Sequence, residues 1–470
     1  MNILQIEDDI DWFNRIVHPA LIQAGANQVY HAETYDRALQ LLKNEYIDYV
    51  IVDLAIPLND ESPTPDVSNG LNVAAYIREY YAGIPMLILT GQSTEEAIDR
   101  FIEDLPVTTF WDGTPKHIVK VKKKRQLDKV IEALSSAINE LNTINAIELV
   151  VNGCELDLHE KRVIQLFCKF NNAIGAEINA ISEGLSSAKV LRISLINGTG
   201  ATFHHALSKI DSHKSIDVED NNYASRISRL PVGSFPTLLD SYYAGCGSRK
   251  GIFYQFATDY KSDYFDLLTT NEKDTIDVLV RLKAILNHWI QNREIKQLSV
   301  KEIRENLCSD TKFDAIQQDL RSIEDVDIES FEANKISTYC CTQHSDLHGK
   351  NILVSADKYP IIIDYGDVAE QSSDLDIATL ELSQYFHPSI RSHFSPPIEL
   401  FENWFDNAYY LENSPTPEAS KFLREWKSES SLMKRQYIVS VYSYAVRQLT
   451  YAGTNKNYAK ALIKAAINNF

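Results

Sequence analysis

Between residue 1 and about residue 142 the chain alternates short apolar runs with longer amphipathic ones. The runs NILQI, YVIVDL, PMLILT and KHIVKV have the length and β-branched content of strands. The stretches WFNRIVHPALIQAG, ETYDRALQLLKNE, NGLNVAAYIREYYAG and QLDKVIEALSSAINEL place apolar residues on one face at the helical period. Strands alternating with helices need crossover connections, which cover both faces of a parallel sheet. A doubly wound α/β domain is therefore expected over 1–142, with polar functional groups at the C-terminal ends of its strands.

Residues 143–176 hold one strand candidate, AIELVV, and one helix candidate, EKRVIQLFCKFNNAI, and read as a segment joining two domains. Over 177–271 the pattern is β-rich: AEINAIS, a turn at EGLSSA, KVLRISLI, FHHALSKID, PTLLDSYYA and GIFYQFA. Over 272–470 helices dominate, apart from QHSDLHGKNILVSADKYPIIIDYGD at 343–367. There NILVS and PIIID read as two short strands around the turn ADKY. A small β lobe followed by a larger helical lobe makes this half an α+β domain of two lobes.

Composition narrows the possibilities. The 470 residues, 44% hydrophobic and 24% charged, fit a globular chain of roughly three domains at about 150 residues each. A net charge of -19 disfavours nucleic acid and anionic lipid as partners. The basic run KHIVKVKKKRQLDK at 116–129 reads as a solvated face. Six cysteines without a C-x-x-C spacing argue against zinc or a disulfide framework and fit a reducing, cytoplasmic location. The opening MNILQIEDD is too acidic for a signal peptide, and no run approaches the ~20 apolar residues of a membrane span.

Candidate chemistry falls in two places. Glu7 and Asp8 follow the first strand and Asp53 ends a neighbouring one, so three carboxylates converge on one sheet edge, where Mg2+ is the natural counter-ion. An aspartate beside the ion can attack a phosphoryl donor, with Thr90 and Lys120 placed to contact the product. In the hairpin, Asn351 folds back beside Asp364, giving two oxygen ligands for Mg2+ on ATP. Asp346, five positions before Asn351, is placed to accept the proton of a substrate hydroxyl.

The ordered set IEDD, VDLAIP, LTG and Lys120, seven positions before Leu127, resembles the receiver domain of two-component response regulators. That resemblance implies a parallel five-stranded sheet and Mg2+ on Glu7, Asp8, Asp53 and the Ala55 carbonyl. It also implies phosphorylation of Asp53 by an upstream histidine kinase or small phosphodonor, Thr90 and Lys120 as switch residues, and a homodimer through the receiver. The long loop NDESPTPDVSNG, His117 at the usual aromatic position and no proline after Lys120 depart from the pattern.

The spacing His-x-Asp-x-x-x-x-Asn and then Asp-x-Gly resembles phosphotransferases of the protein-kinase type. HSDLH is closer to the aminoglycoside and choline phosphotransferase branch, because Ser345 stands where protein kinases carry an arginine. This resemblance implies ATP and Mg2+ as cofactors, Asp346 as catalytic base and Asn351 and Asp364 as metal ligands. Asp376 of SSDLDIATLE would anchor the catalytic loop. Lys209, with Lys214 as a competing lysine, would pair with Glu219 between a strand ending near Lys209 and a helix starting around Asp217. Gly184 in EGLSSA would lie in the nucleotide-covering loop, and YQFA at 254–257 at the hinge. Two readings stay open: a receiver-controlled phosphotransferase acting on an unknown hydroxyl, and a nucleotide-binding module without turnover. The acidic balance and the lack of a helix-turn-helix pattern leave a DNA-binding output remote.

Overall fold

The strands Asn2–Ile6 (β1), Gln28–Ala32 (β2), Tyr49–Val52 (β3) and Met86–Thr90 (β4) come first. The short hairpin Val107–Thr109 (β5) and Pro115–His117 (β6) and then Val119–Lys123 (β7) follow. They belong to a computed structural model describing residues 1–90, 107–181, 188–256, 260 and 262–470. One sheet has the order β2-β1-β3-β4-β7, and every neighbouring pair in it is parallel. Its strands obey the period of two. Leu4, Ile6, Val50, Val52 and Ile88 pack with Leu41, Val73 and Ile77 on one face. Ile3, Ile51, Leu87 and Leu89 pack with Phe13, Val17, Val130 and Leu134 on the other. This is the expected doubly wound α/β domain. β2 shows no apolar run because only Val29 and Ala32 in it are buried.

The strands Glu148–Asn152 (β8), Gly175–Ala180 (β9), Lys189–Ile196 (β10), Thr202–Ser212 (β11), Leu238–Tyr242 (β12) and Arg249–Gln255 (β13) form a second sheet. Its order is β12-β13-β11-β10-β9-β8. The segment read as a joiner is part of this sheet: β8 lies parallel to β9, and the helix Leu158–Phe170 makes the crossover. β11 runs past Lys209 to Ser212, and the next helix begins at His213 rather than near Asp217.

Both sheets lie in one compact unit, Met1–Asp217 with Leu238–Phe256. A single apolar cluster runs from Ile3, Leu87 and Leu134 through Phe167 to Ile178, Ile193 and Phe253. A seam of polar contacts joins the sheets as well. Gly83 N donates to Gly247 O at 2.9 Å and Gly245 N donates to Gly83 O at 2.7 Å. The buried Trp111 donates from Nε1 to Ala244 O at 3.0 Å. Gly245 has φ +83°, and a Cβ there would stand 2.0 Å from Trp111 Nε1, so only glycine fits.

The second unit, Val218–Thr237 with Ala257–Phe470, is mainly helical. It carries Ser262–Asp263 (β14), Glu294–Ser299 (β15), Lys335–Gln343 (β16), Ile352–Val354 (β17), Pro360–Ile362 (β18) and Ala369–Ser372 (β19). These form two small sheets, β14-β17-β18 and β15-β16-β19. The helix Leu375–Phe386 is buried along its whole length, and Lys434–Leu449 along most of it. Between them the buried Glu381 accepts from Arg424 Nε at 2.6 Å and from the Tyr437 hydroxyl, so its charge is both paired and hydrogen-bonded. Among the described residues no helix is long and apolar enough to cross a membrane.

Trp111→Ala removes a fully buried indole and its hydrogen bond at the seam. It is expected to lower the stability of the first unit by about 3–5 kcal/mol. Denaturant unfolding of the full chain, followed by the far-UV signal, checks this; an unchanged midpoint would contradict the seam's contribution.

Candidate functional site

The acidic cluster is built from strand ends. Glu7 directly follows β1 and Asp53 directly follows β3, and their backbones are fixed by Glu7 N to Ala32 O and Asp53 N to Ile6 O, each 2.9 Å. Oxygens of Glu7, Asp8 and Asp53 lie within 4.8 Å of one another. Glu7 is fully buried, and its Oε2 has no hydrogen-bond partner. A buried, unsatisfied carboxylate oxygen beside two further carboxylates fits a hard divalent cation with oxygen ligands such as Mg2+. Burial pushes the Glu7 carboxyl up to about 7, although Lys124 works against the shift. Burial, then the charge of Asp53, also raises Asp8.

The lysine at this edge is Lys124 and not Lys120. Lys124 Nζ stands 2.8 Å from Glu7 Oε1 and 2.7 Å from Asp53 Oδ2, and 4.7 Å from the centre of the Trp12 ring. Burial alone would depress its pKa, but the hydrogen bonds to Asp53 and Glu7 prevail and raise it. Lys120 pairs in register with Leu87, whereas the strand ends meet at Thr90 and Lys123. Lys120 therefore sits short of the functional edge, and its Nζ lies 6.0 Å from the centre of the Phe110 ring. The basic run at 116–129, read as a solvated face, thus supplies one cation to the site. Counting from the strand end instead of from the following helix would have found it. Thr90 is the last residue of β4, at the same edge.

The second cluster lies on the loop after β16 and on the β17–β18 hairpin. Asp376, itself buried, holds the loop: Oδ2 accepts from His344 N at 2.7 Å and Oδ1 from Ser345 N at 2.8 Å. Its burial pushes its pKa up to about 6. The His344 ring reaches Ile363 O at 3.0 Å, tying the loop to the end of the hairpin. Ser345 and Asp364 both have φ 68°, a left-handed conformation uncommon for non-glycine residues and typical of loops that aim functional groups.

Asn351 Nδ2 donates to Asp346 O at 2.9 Å, and Ile363 N donates to Asn351 O at 3.0 Å. The amide nitrogen of Asn351 is thereby occupied, which leaves its side-chain oxygen as the group for a cation, with Asp364 one residue past Ile363. That donor set fits Mg2+. The register Ile352 with Ile362 sets this spacing.

Asp346 Oδ1 lies 3.2 Å from Arg447 Nη1, and Oδ2 lies 3.7 Å from His348 Nε2. Burial alone would raise the Asp346 pKa; Arg447, then His348 and His344, outweigh it and hold Asp346 below the usual carboxylate range. Asp346 is therefore an ionised acceptor at neutral pH. Arg447 also reaches Ser345 O at 3.2 Å and Asp367 Oδ2 at 3.2 Å. The sequence alone marks no role for Arg447, because the helix RQYIVSVYSYAVRQL that carries it shows an aromatic-rich stripe of the kind that is more often core than pocket. The signal was an arginine on a helix whose other positions are almost all buried.

The nucleotide-side candidates lie on separate elements. Lys209 is buried on β11, opposite Val190 and Ile252. Glu219 is buried on the helix His213–Ser225. Gly184 falls at 182–187, outside the described residues. In the second unit Asn222 Nδ2 donates to Tyr365 O at 2.8 Å, bracing the segment that carries Asp364.

No protein-family model matches this sequence, and no curated protein matches it. Several solved structures do. An aminoglycoside-3'-phosphotransferase of type VIII matches over 64% of this chain and 100% of its own, with 13% identity and a TM-score of 0.37. The ethanolamine kinase of Plasmodium vivax matches over 62% of this chain and 81% of its own, with 12% identity and a TM-score of 0.35. A CheY-like response regulator receiver domain protein from Methanospirillum hungatei JF-1 matches over 30% of this chain and 97% of its own, with 19% identity and a TM-score of 0.22. The chain is thus similar to receiver domains over one part and to phosphotransferases of the aminoglycoside and ethanolamine kinase type over the other.

Because the Trp12 ring lies against Lys124 at the acidic cluster, its fluorescence should report Mg2+ binding. Mg2+ must displace the proton from Glu7, whose pKa is raised to about 7, so affinity should weaken as the pH falls through about 7 to about 6. Lys124→Ala should tighten Mg2+ about fivefold or more by removing a competing cation. Lys120→Ala should change little; a tightening there equal to that of Lys124→Ala would overturn the assignment.

Proposed function

We propose that this chain transfers the γ-phosphoryl group of ATP to an acceptor hydroxyl, and that phosphorylation of Asp53 governs the transfer. The observation that carries the first part is the juxtaposition of an ionised Asp346 with Asn351 and Asp364 on a loop pinned by Asp376. Asp346 takes the proton of the acceptor hydroxyl as its oxygen bonds to the γ-phosphorus. The bond from that phosphorus to the β–γ bridging oxygen breaks, ADP leaves, and Asp346 passes the proton to solvent. Mg2+ held by Asn351 and Asp364 would neutralise the phosphate charge during this step. Lys209, Glu219 and Gly184 are the proposed nucleotide-side residues.

The receiver part of the proposal rests on the carboxylate cluster around Asp53 and on the apolar cluster shared by the two sheets of the first unit. An upstream histidine kinase or a small phosphodonor would load Asp53, with Mg2+ on Glu7, Asp8 and Asp53 and with Thr90 and Lys124 as switch residues. A reducing compartment such as the cytoplasm is part of this proposal, supported by six cysteines that form no disulfide with one another. A second reading, a nucleotide-binding module without turnover, is favoured by one contact. Arg447 holds the Asp346 carboxylate that an incoming hydroxyl needs.

Asp346→Asn should lower transfer from labelled ATP by about a hundredfold or more; full transfer by that variant would refute the catalytic assignment. Acetyl phosphate should change turnover in the wild type and not in Asp53→Ala. Labelling of Asp53 with unaltered turnover would refute control by the receiver.

A further inference from the structure

The surroundings of Asp346 are basic, in a chain whose net charge is -19. Arg447 is one contributor, with its guanidinium shared among Asp346, Asp367 and the Tyr451 hydroxyl, the last at 2.9 Å. A second guanidinium comes from Arg391, in the segment after the helix Leu375–Phe386. Its backbone N donates to His387 O at 3.0 Å. Its Nη2 lies 4.0 Å from the place where a side chain on Gly453 would begin, in the loop that follows the Arg447 helix. The rings of His387 and His348 stand 4.6 Å apart, and His348 Nε2 lies 3.7 Å from Asp346 Oδ2.

The acids nearby already have work. Asp346 is the proton acceptor, Asp364 a proposed metal ligand, and Asp367 is bound by Arg447. Lys350 is neutralised by Asp263 at 2.5 Å. Among the described residues no carboxylate pairs with Arg391, so its charge is left over beside His387, whose ring neighbours that of His348. A cationic acceptor would find no unused carboxylate here and would meet two guanidiniums. An anionic one would release Arg447 from Asp346 by offering it a better partner, and would span to Arg391. Guanidinium groups bind carboxylate and phosphate oxygens in two-point geometry, which also orients what they hold.

We propose that the acceptor is an alcohol carrying an anionic group, carboxylate or phosphate, that Arg391 and Arg447 bind while its hydroxyl faces Asp346. The proposal deepens the phosphotransfer reading and rests on it for the step itself, although the binding of the anion does not.

The experiment uses the full chain with ATP and Mg2+. It supplies glycerate and glycerol 3-phosphate as anionic alcohols, glycerol as a neutral one, and choline and ethanolamine as cationic ones. ADP release and the melting temperature are followed in parallel. The anionic alcohols should raise the melting temperature and stimulate ADP release, with carboxylate and phosphate compared directly. Arg391→Gln should raise KM for them about tenfold or more with kcat within about threefold, and Arg391→Lys should recover part of the loss. Thermal stabilisation by the anions without ADP release would support the inference and refute the phosphotransfer reading. Turnover of choline, ethanolamine or glycerol in preference to the anions, an Arg391→Gln variant with unaltered KM, or no response to any anion in either measurement would overturn the inference.

Discussion

Two backbone hydrogen bonds made by Gly83, one to Gly247 O and one from Gly245 N, hold the two sheets of the first unit together. They weld the loop before β4 to the loop between β12 and β13. They require glycines, because a Cβ on Gly83 would lie 2.4 Å from Tyr243 O. With Trp111 sealed beside them and one apolar cluster running through both sheets, the α/β domain and the six-stranded sheet share a single interior. A packed interior does not deform locally at low cost, so the packing of one sheet constrains that of the other. β4 links the two ends physically: Thr90 ends it at the acidic edge, and Gly83 lies just before its other end.

In the second unit the equivalent constraint is the Asp376 carboxylate, buried and accepting two consecutive backbone N–H groups. It stabilises the uncommon left-handed turn at Ser345 and so aims Asp346. In protein kinases the residue before the catalytic aspartate is an arginine. Here that position is a serine, and the guanidinium beside the aspartate arrives from a distant helix as Arg447.

The legible parts of the sequence were the local ones. β1, β3 and β4 are apolar runs because both their faces are buried, and the hairpin is legible because Asp346, Asn351 and Asp364 all lie within one short stretch, 346–364. β2 is hidden because only two of its five side chains are buried, and β8 reads as linker because its partner β9 lies beyond a whole helix. Distance to the next helix points to Lys120, whereas proximity to Asp53 follows from where β7 ends and belongs to Lys124. Arg447 and Arg391 carry no local motif at all. The seam was illegible for a different reason: it is made of backbone groups and glycines, which leave no hydrophobic pattern.

The acidic cluster and the six-stranded sheet share one interior, and the proposed loading of Asp53 is expected to reach both. Amide hydrogen exchange on the full chain, with Mg2+ and with or without acetyl phosphate, tests it most directly. Altered exchange is expected at Gly83, Gly245 and the β13 amides in the wild type and none in Asp53→Ala. Changes that stop at the strand ends around Glu7, Asp53 and Lys124 and leave Gly83 and Gly245 untouched would contradict it.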